Sequence, residues 1–283
     1  MSADAGVEPG IVCAFAVTGT PPDPAALAAA TGHEEGGPLR VLDAGGGLGL
    51  VVQDVPAALF DEEALTERLN RPTDLERCAR AHHRAVEAAA GRGAVVPLPM
   101  ATLYRGDRSA VRAVRDRRPV LEALLDRLRN RTEWAVKVHA AEGTPDDLPT
   151  APADPGTGSG SGSGGRAYLS RASARRRDRQ QAQGRARAEA EAVDAELRRY
   201  AVAATRHRPQ SERLTGRRTP QLLNAAYLVE DADRAAFTRA LSGLTAEGRH
   251  PAVRADASGP WIPYSFARWD EEPGTLPGQE VPA

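Results

Sequence analysis

Two adjacent histidines, His82 and His83, are the residues of this chain best suited to metal or proton chemistry. They lie in a predicted helix over 73–90, and helical ligand pairs for one metal ion are spaced by three or four residues, not one. No convincing set of Cys or carboxylate ligands surrounds them. His82 falls on the apolar face of this helix and His83 at its edge, which favours a hydrogen-bonded core histidine over a metal ligand.

A phosphate-binding loop is the second chemical possibility, because Gly45, Gly46 and Gly47 follow a predicted strand. However, Leu50 stands where a G-x-G-x-x-G motif needs its third glycine, and the next residues read as a strand rather than a helix N-terminus. The sequence also contains no nucleophile elbow, HExxH, CxxC or P-loop. We therefore predict no enzymatic activity, no catalytic residue, no cofactor and no metal site.

Four aromatic side chains crowd into positions 261–269, although the chain has only 12 in 283 residues. Pro260 and Pro263 favour an extended backbone there. Large rings on such a strip either plug a core or form a contact surface. We expect the core role, with packing against the strand of Ala226 and Leu228 and the helix of Phe237 and Leu241. The contact role is the alternative, and its candidate partner-binding residues are Trp261, Tyr264 and Phe266.

An arginine-rich helix is predicted over 166–208. A nucleic-acid-binding protein that uses the arginines of 166–218 is the alternative function, because such helices bind phosphates electrostatically. Acidic residues interleave with the arginines, however, and no aromatic stacking platform accompanies them. Lys137 is also the only lysine, so arginine is favoured by composition throughout. A solvated helix is the preferred interpretation.

Composition indicates an ordinary globular protein, with 41% hydrophobic and 27% charged residues. No apolar run approaches the ~20 residues that span a bilayer, and the N-terminus lacks a signal peptide pattern. Cys13 and Cys78 lie in apolar patterns typical of buried, reduced thiols. The net charge of −1 gives no global attraction to nucleic acid or lipid. These features predict a cytoplasmic protein without a membrane partner.

The predicted elements indicate an α+β fold. Strands are expected at 11–17, 39–43, 48–54, 94–98 and 133–139, with Thr73 and Glu76 forming a capping box and Pro119 dividing a helix over 107–129. In the last strand Trp134, Val136 and Val138 share one face and Lys137 lies on the wet face. This strand is expected to close an N-terminal domain whose mixed sheet has helices on one face.

A Gly/Ser run, preceded by Pro, Asp and Thr, marks the strongest domain boundary. The predicted organisation is an N-terminal α+β domain over 1–142, a flexible linker over 143–165, a C-terminal α+β domain over 166–269 and a disordered tail over 270–283. The C-terminal domain is expected to combine the long arginine-rich helix with a ferredoxin-like sheet, whose central strand is 222–229.

Several stretches, in order, resemble the gas vesicle protein L/F family (GvpL/GvpF). The resemblance spans roughly residues 11–267. Its clearest part is the closing Gly-Pro-Trp-x-Pro-Tyr-Ser-Phe at 259–266. The others are Ala-His-His-Arg-Ala-Val at 81–86 with Val-Val-Pro-Leu at 95–98, Glu-Trp-Ala-Val-Lys at 133–137, and Gly-Arg-Ala-Tyr-Leu at 165–169 with Leu-Asn-Ala-Ala-Tyr-Leu-Val at 223–229.

The resemblance implies a gas vesicle accessory protein that binds the apolar major shell subunit and assists assembly, either as a helper or as a minor vesicle component. The implied partners are that shell protein and other gas vesicle accessory proteins, and the implied location is the gas vesicle. Trp261, Tyr264, Phe266 and Lys137 are the candidate contacts. The sequence departs from the family pattern at Pro99-Met100-Ala101, where an Arg-aromatic-Gly triplet is expected, so no charged contact is assigned there.

Overall fold

The computed structural model describes residues 10–91, 93–141, 163–208, 219–245 and 248–268. The chain divides into two compact units, and the division does not follow a single cut in the sequence. The first unit contains Met1–Thr132 together with Ile262–Ala283, and the second contains Glu133–Trp261. The chain therefore leaves the first unit after Thr132 and returns to it at Ile262.

The first unit is built on a four-stranded antiparallel sheet with the order β2-β3-β1-β4. Helices join β1 to β2 and β3 to β4, which gives the βαββαβ arrangement of a ferredoxin-like fold, and two more helices follow β4. Its elements are β1 (Ile11–Thr18), α1 (Pro24–Ala29), β2 (Arg40–Gly45), β3 (Leu48–Val55), α2 (Ala57–Phe60), α3 (Glu62–Asn70), α4 (Pro72–Ala90), β4 (Val95–Arg105), α5 (Gly106–Asp116) and α6 (Arg118–Leu128).

Strand β1 is apolar almost throughout because helices cover both of its faces. All of its residues after Ile11 are buried, and both α4 and α5 contact it. Cys13 and Phe15 pack in the same cluster as Val86 of α4. A strand covered on both faces shows a continuous apolar run rather than alternation. The prediction of a buried strand here is therefore confirmed.

Strand β4 is longer than predicted. It continues to Arg105, and its pairing with β1 jumps from Ala16 opposite Pro97 to Ala14 opposite Thr102. The extra residues form a bulge in which Ala101 has a positive φ of 67°. Prolines are tolerated here because β4 is the edge strand of the sheet among the described strands, with β1 as its neighbour. The sequence prediction stopped at residue 98 because this bulge interrupts the alternation.

The predicted capping box at the start of α4 is wrong. The helix begins at Pro72, one residue before Thr73, and its N-cap is Arg71, which makes no side-chain capping bond. Proline at the first helical position is favourable because its φ is already helical and it lacks the N–H that would be left unbonded there. By contrast, the division of the next helical stretch by Pro119 is confirmed: α5 ends at Asp116, and Pro119 lies in the first turn of α6.

The second unit repeats the same topology. Its sheet has the order β6-β7-β5-β8, with β6 antiparallel to β7 and β5 antiparallel to β8. The strands again follow a βαββαβ order, so the predicted ferredoxin-like sheet is confirmed, with β7 inside it. The elements are β5 (Arg131–Ala140), α7 (Ser163–Arg198), β6 (Ala203–Arg206), β7 (Gln221–Glu230), α8 (Arg234–Thr245) and β8 (Val253–Trp261).

The expectation that the Trp134 strand closes the first domain is wrong. This strand, β5, lies between β7 and β8 in the second sheet, with Lys137 opposite Asp256. Alternation in a sequence identifies the faces of a strand but not the sheet that it joins. The two units thus separate at Thr132 rather than at 143–165. Of that predicted linker, residues up to 162 lie outside the described part of the chain, and the rest belong to the start of α7.

The core of the second unit forms between its sheet and its two helices. Trp134, Val136 and Val138 all face this core, as their alternation predicted. The Trp134 ring lies 5.6 Å from that of Phe237 on α8, measured between centroids. The other buried members of the cluster are Ala186, Ala190, Val193, Leu197, Leu223, Ala225, Tyr227, Val229, Leu241, Leu244 and Val253.

One carboxylate is buried beside this core and is fully engaged. Asp194 of α7 accepts hydrogen bonds from Tyr227 Oη at 2.5 Å, Arg198 Nε at 2.8 Å and Arg206 Nη2 at 2.6 Å. Burial raises the pKa of Asp194, but these hydrogen bonds outweigh it and hold the pKa below its ordinary value. The network ties α7 to β6 and β7 through charge-assisted bonds.

A second buried polar group organises the first unit. The Gln53 side chain accepts a hydrogen bond from the His33 backbone N–H at 2.8 Å and donates to the carbonyls of His33 at 2.9 Å and Gly37 at 2.7 Å. A Cβ on Gly36 would lie only 2.6 Å from this amide. The loop before β2 is therefore pinned to β3 by one side chain, and glycine is required where the backbone approaches it closely.

Two buried histidine rings lie next to Phe15. The centroids of His33 and His82 lie 5.8 and 5.6 Å from that of Phe15. His82 is only 5% exposed, which confirms its predicted core position, but its two ring nitrogens are buried without a hydrogen bond of good geometry, so the predicted hydrogen bonding is not found. Desolvation by burial lowers the pKa of each histidine from 6.5 to about 4, although Glu35 opposes this for His33 and the Leu98 backbone for His82.

Proteolysis can test where the units divide. Protease should cut first within 150–166, where Gly and Ser predominate and no apolar anchor is present. The two fragments should nevertheless elute together in size exclusion, because β5 on the N-terminal fragment is a central strand of the second sheet. Fragments that separate without denaturant would contradict this placement of β5.

The buried histidines predict a loss of stability in acid. Their pKa values in the folded protein lie below the unfolded value of 6.5, so their contribution is complete above pH 6.5 and declines as the pH falls toward 4. At pH 5 the cost is about 2 kcal/mol per histidine. Urea unfolding of wild type and His82→Gln at pH 7.5 and 5 should show a smaller pH dependence in the variant. The control Cys78→Ala, a buried neutral site on the same helix, should lose similar stability at both pH values.

Candidate partner-binding site

The closing segment, residues 262–267, contains the aromatic positions that the sequence singled out. Ile262 packs against the core cluster of the first unit, and Tyr264–Phe266 forms a single 3-10 turn after Pro263. The segment lies in the first unit although it follows the last strand of the second. The prediction that it closes the second domain is therefore wrong.

Tyr264 is held against α4 by His83. The Tyr264 Oη and His83 Nδ1 atoms are 3.2 Å apart, and the two ring centroids are 6.1 Å apart. The other ring nitrogen, Nε2, lies 3.3 Å from Glu87 Oε1, one helical turn along α4. A neutral imidazole fits this arrangement when Tyr264 donates to Nδ1 and Nε2–H donates to Glu87. The three side chains position one another and leave the Tyr264 ring 37% exposed.

The remaining two aromatic residues of the strip have opposite environments. Phe266 is 4% exposed and therefore buried, while Trp261 is 45% exposed. Trp261 ends β8, opposite Glu133, and its Nε1 donates a hydrogen bond to Ser258 Oγ at 3.2 Å. A buried ring can stabilise a fold, whereas an exposed ring remains available to a partner.

The expected packing of Trp261 and Tyr264 against Phe237 and Leu241 does not occur. Trp134 takes that position, because it lies on an inner strand whose face is covered by α8. Trp261 instead lies at the end of β8, which is the edge strand next to β5 among the strands that the structure describes. The Trp134 ring also lies against the backbone of Gly259, where an added Cβ would be 3.0 Å from its Cδ2 atom.

Lys137, the remaining candidate contact, is half-buried on β5. It pairs in register with Asp256 of β8, so opposite charges face each other across the two strands. Cross-strand pairs of this kind stabilise a sheet by a few tenths of a kcal/mol. This environment accounts for a lysine on the polar face of β5 without requiring a partner.

Two of the stretches that carry the family resemblance meet in this site. His83 belongs to the Ala-His-His-Arg-Ala-Val stretch and Tyr264 to the closing stretch, and they are in hydrogen-bond contact. Sequence reasoning missed this contact because the residues are 181 positions apart and no local pattern links them. The only available signal was the presence of both residues in the quoted motifs.

Other kinds of site have little support in the described residues. No group of three or more His, Cys, Asp or Glu side chains among them is placed to hold a metal ion. Within the same residues, no helix is both long and apolar enough to cross a membrane. The arrangement on α4 offers the partly exposed aromatic surface of Tyr264 for contact.

Comparisons with known proteins agree with the two-unit α+β architecture. The chain matches the family described as gas vesicle synthesis protein GvpL/GvpF over residues 12–268. It is 38% identical to gas vesicle protein L of Streptomyces sp. (strain CB03234) over 227 residues, which cover 80% of this chain and 82% of that relative. The chain therefore belongs to the gas vesicle protein L/F family, and the resemblance seen in the sequence is confirmed.

Solved structures share the fold. The crystal structure of gas vesicle protein GvpF from Anabaena sp. PCC7120 superposes with a TM-score of 0.64 at 14% identity, covering 92% of this chain and 98% of that one. GvpF from Microcystis aeruginosa gives a TM-score of 0.58 at 15% identity, with coverages of 91% and 99%. At such low identities the likeness concerns the fold alone.

The opposite burial of Phe266 and Trp261 predicts opposite effects of truncation. Phe266→Ala should lower the free energy of unfolding by about 3–5 kcal/mol, because it leaves a cavity in a core. Trp261→Ala should cost less, about 1–2 kcal/mol, since nearly half of this side chain is already in solvent. Thermal unfolding by circular dichroism measures both. Equal losses for the two variants would show that Trp261 is a core residue after all.

Proposed function

We propose that this protein binds the apolar major shell subunit of the gas vesicle and assists vesicle assembly. Membership of the gas vesicle protein L/F family over residues 12–268 is the observation that carries the proposal. The family description names gas vesicle synthesis, and the Streptomyces relative is itself a gas vesicle protein. Other gas vesicle accessory proteins are further proposed partners.

The physical task of such a protein is to cover apolar surface before it aggregates. Exposed aromatic rings suit this task because they present large, rigid apolar faces with a polar edge. Trp261 in the second unit and Tyr264 in the first each provide one. Covering the exposed part of Trp261 would contribute about 2–3 kcal/mol at ~25 cal/mol per Å².

The rigidity of Tyr264 supports the same role. Its hydroxyl is held by His83 and its neighbour Phe266 is buried, so the ring is ordered before any partner arrives. A side chain that is already ordered loses little conformational entropy on binding. Phe266 itself, although predicted as a contact, supports the site from inside rather than touching a partner. Lys137 remains a prediction, since its cross-strand neighbour Asp256 already accounts for its charge.

Co-expression with the shell subunit tests the proposal directly. The fraction of subunit that sediments should fall several-fold when the wild-type protein is present. Trp261→Ser and Tyr264→Ser should each restore much of the sedimentation. Each should lower the free energy of unfolding by only about 1–2 kcal/mol, because both side chains are only partly buried.

Val202→Ser is the matched control, since Val202 is an equally exposed apolar side chain at 48% and lies outside the closing segment. It should behave as wild type. A subunit that sediments equally with and without the wild-type protein would refute the assembly function. Loss of protection in Val202→Ser as well would refute the assignment to the two aromatic residues.

A further inference from the structure

Helix α7 is much longer than the sheet it covers. Among the α7 side chains that the structure describes, 170 and 172–198, the buried ones lie in the C-terminal part and begin at Ala186. Every side chain over 172–181 is exposed, which corresponds to roughly 15 Å of helix at ~1.5 Å per residue. Helix α8, which covers the same sheet, has only 12 residues. Apart from Ala186, the stretch 172–187, which we call the basic arm, is therefore not needed to complete the core.

The basic arm concentrates positive charge. It contains six arginines and one acidic residue, Asp178, which gives six minus one, or +5, in a chain whose net charge is −1. Among the described residues, no carboxylate forms an ion pair with any of the six. The six are Arg175, Arg176, Arg177, Arg179, Arg185 and Arg187.

The arginines of the packed half of the same unit are used differently. Arg198 and Arg206 both bind Asp194, and Arg206 also binds Glu191 at 2.5 Å. In this unit, then, arginines beside α7 are neutralised by carboxylates through charge-assisted bonds. The arginines of the basic arm have no such carboxylate partners among the described residues.

Part of this charge lies on the side of α7 that, further along the helix, packs on the sheet. At 100° per residue, Arg175 and Arg179 lie on the same side of α7 as the buried residues Val193 and Leu197. The side that packs on the sheet at one end therefore carries arginines at the other. Arg176 and Arg187 are both displaced from this side in the same direction, by roughly 80–100°. The four guanidinium groups therefore share a sector of about 120° of the helix, the arginine stripe.

An isolated helix of this composition has low stability. Arg175 and Arg179 are like charges at i and i+4, which destabilises an isolated helix. A helix that is polar all round needs compensating charge pairs or a partner. Gly184 weakens it further, because glycine inside a helix costs about 1 kcal/mol relative to alanine.

We propose that the basic arm binds an acidic helix of another protein chain. Carboxylates at i, i+3 and i+4 on such a helix match the spacing of the arginine stripe, and guanidinium groups bind carboxylates in a bidentate manner. This interaction is separate from the proposed contact of Trp261 and Tyr264 with the shell subunit and does not depend on it.

Nucleic acid fits the arm less well. A duplex continuing past Arg187 would meet Glu189 and Glu191, whose charges repel phosphate. A single strand would find no aromatic ring within 172–187 on which to stack its bases. By contrast, an acidic helix of about 16 residues could cover the basic arm without reaching Glu189 and Glu191.

Fluorescence anisotropy with the full-length protein tests the proposal. The probe is a labelled 20-residue helical peptide of Glu and Ala with glutamates at i, i+3 and i+4, compared with a labelled 20-base-pair DNA duplex at 0.15 M salt. The peptide should bind more tightly than the duplex. Changing Arg175, Arg176, Arg179 and Arg187 to Gln should weaken peptide binding roughly tenfold, since each exposed charge pair is worth about a factor of two.

The matched control changes four exposed arginines of the first unit, Arg71, Arg77, Arg80 and Arg129, to Gln. This variant should bind the peptide within about twofold of wild type. If both variants bound the peptide equally more weakly, the loss of binding would follow from net charge alone, and the proposal would be overturned. Tighter binding of the duplex than of the peptide would overturn it in favour of nucleic acid. Peptide binding that appears only after Asp146, Asp147 and Asp154 are changed to Asn would assign the arm to the chain's own acidic segment.

Discussion

The antiparallel pairing of β5 with β8 is the interaction on which the rest of the architecture depends. It sets Glu133, the first residue of the second unit, opposite Trp261, the last. Insertions are tolerated where their two ends lie close together, because the surrounding fold is not stretched. The second unit can thus interrupt the sequence of the first, and the chain can resume the first unit with Ile262 and the buried Phe266.

The two units share one topology but use their helices differently. In the first unit α4 and α5 both contact β1, so that sheet is covered on both faces and its inner strand is apolar throughout. In the second, α7 and α8 pack with the residues of one face of β5, and the strand alternates. The same βαββαβ arrangement therefore produces two different sequence patterns, because burial rather than topology sets hydrophobic periodicity.

The polar groups of the fold differ in whether they are buried and hydrogen-bonded or exposed to solvent. Asp194 and Gln53 are buried and fully bonded, and each ties a helix or a loop to a sheet. Removing a partner from such groups is costly because the remaining one cannot reach water. Trp261, Tyr264 and the arginines of the basic arm are different, since they expose ring surface or charge to solvent. These surfaces are accordingly the ones that we propose for partners.

The sequence by itself determined the local structure. The apolar run of β1, the alternation of Trp134, Val136 and Val138, the break near Pro119 and the core position of His82 all follow from periodicity and backbone chemistry, and the ordered motifs identified the family. Tertiary structure alone decided which sheet β5 joins, that Trp134 and not Trp261 fills the second core, and that Tyr264 meets His83. Periodicity records which side of an element is buried. It does not record what buries it, because that depends on contacts between residues far apart in the chain.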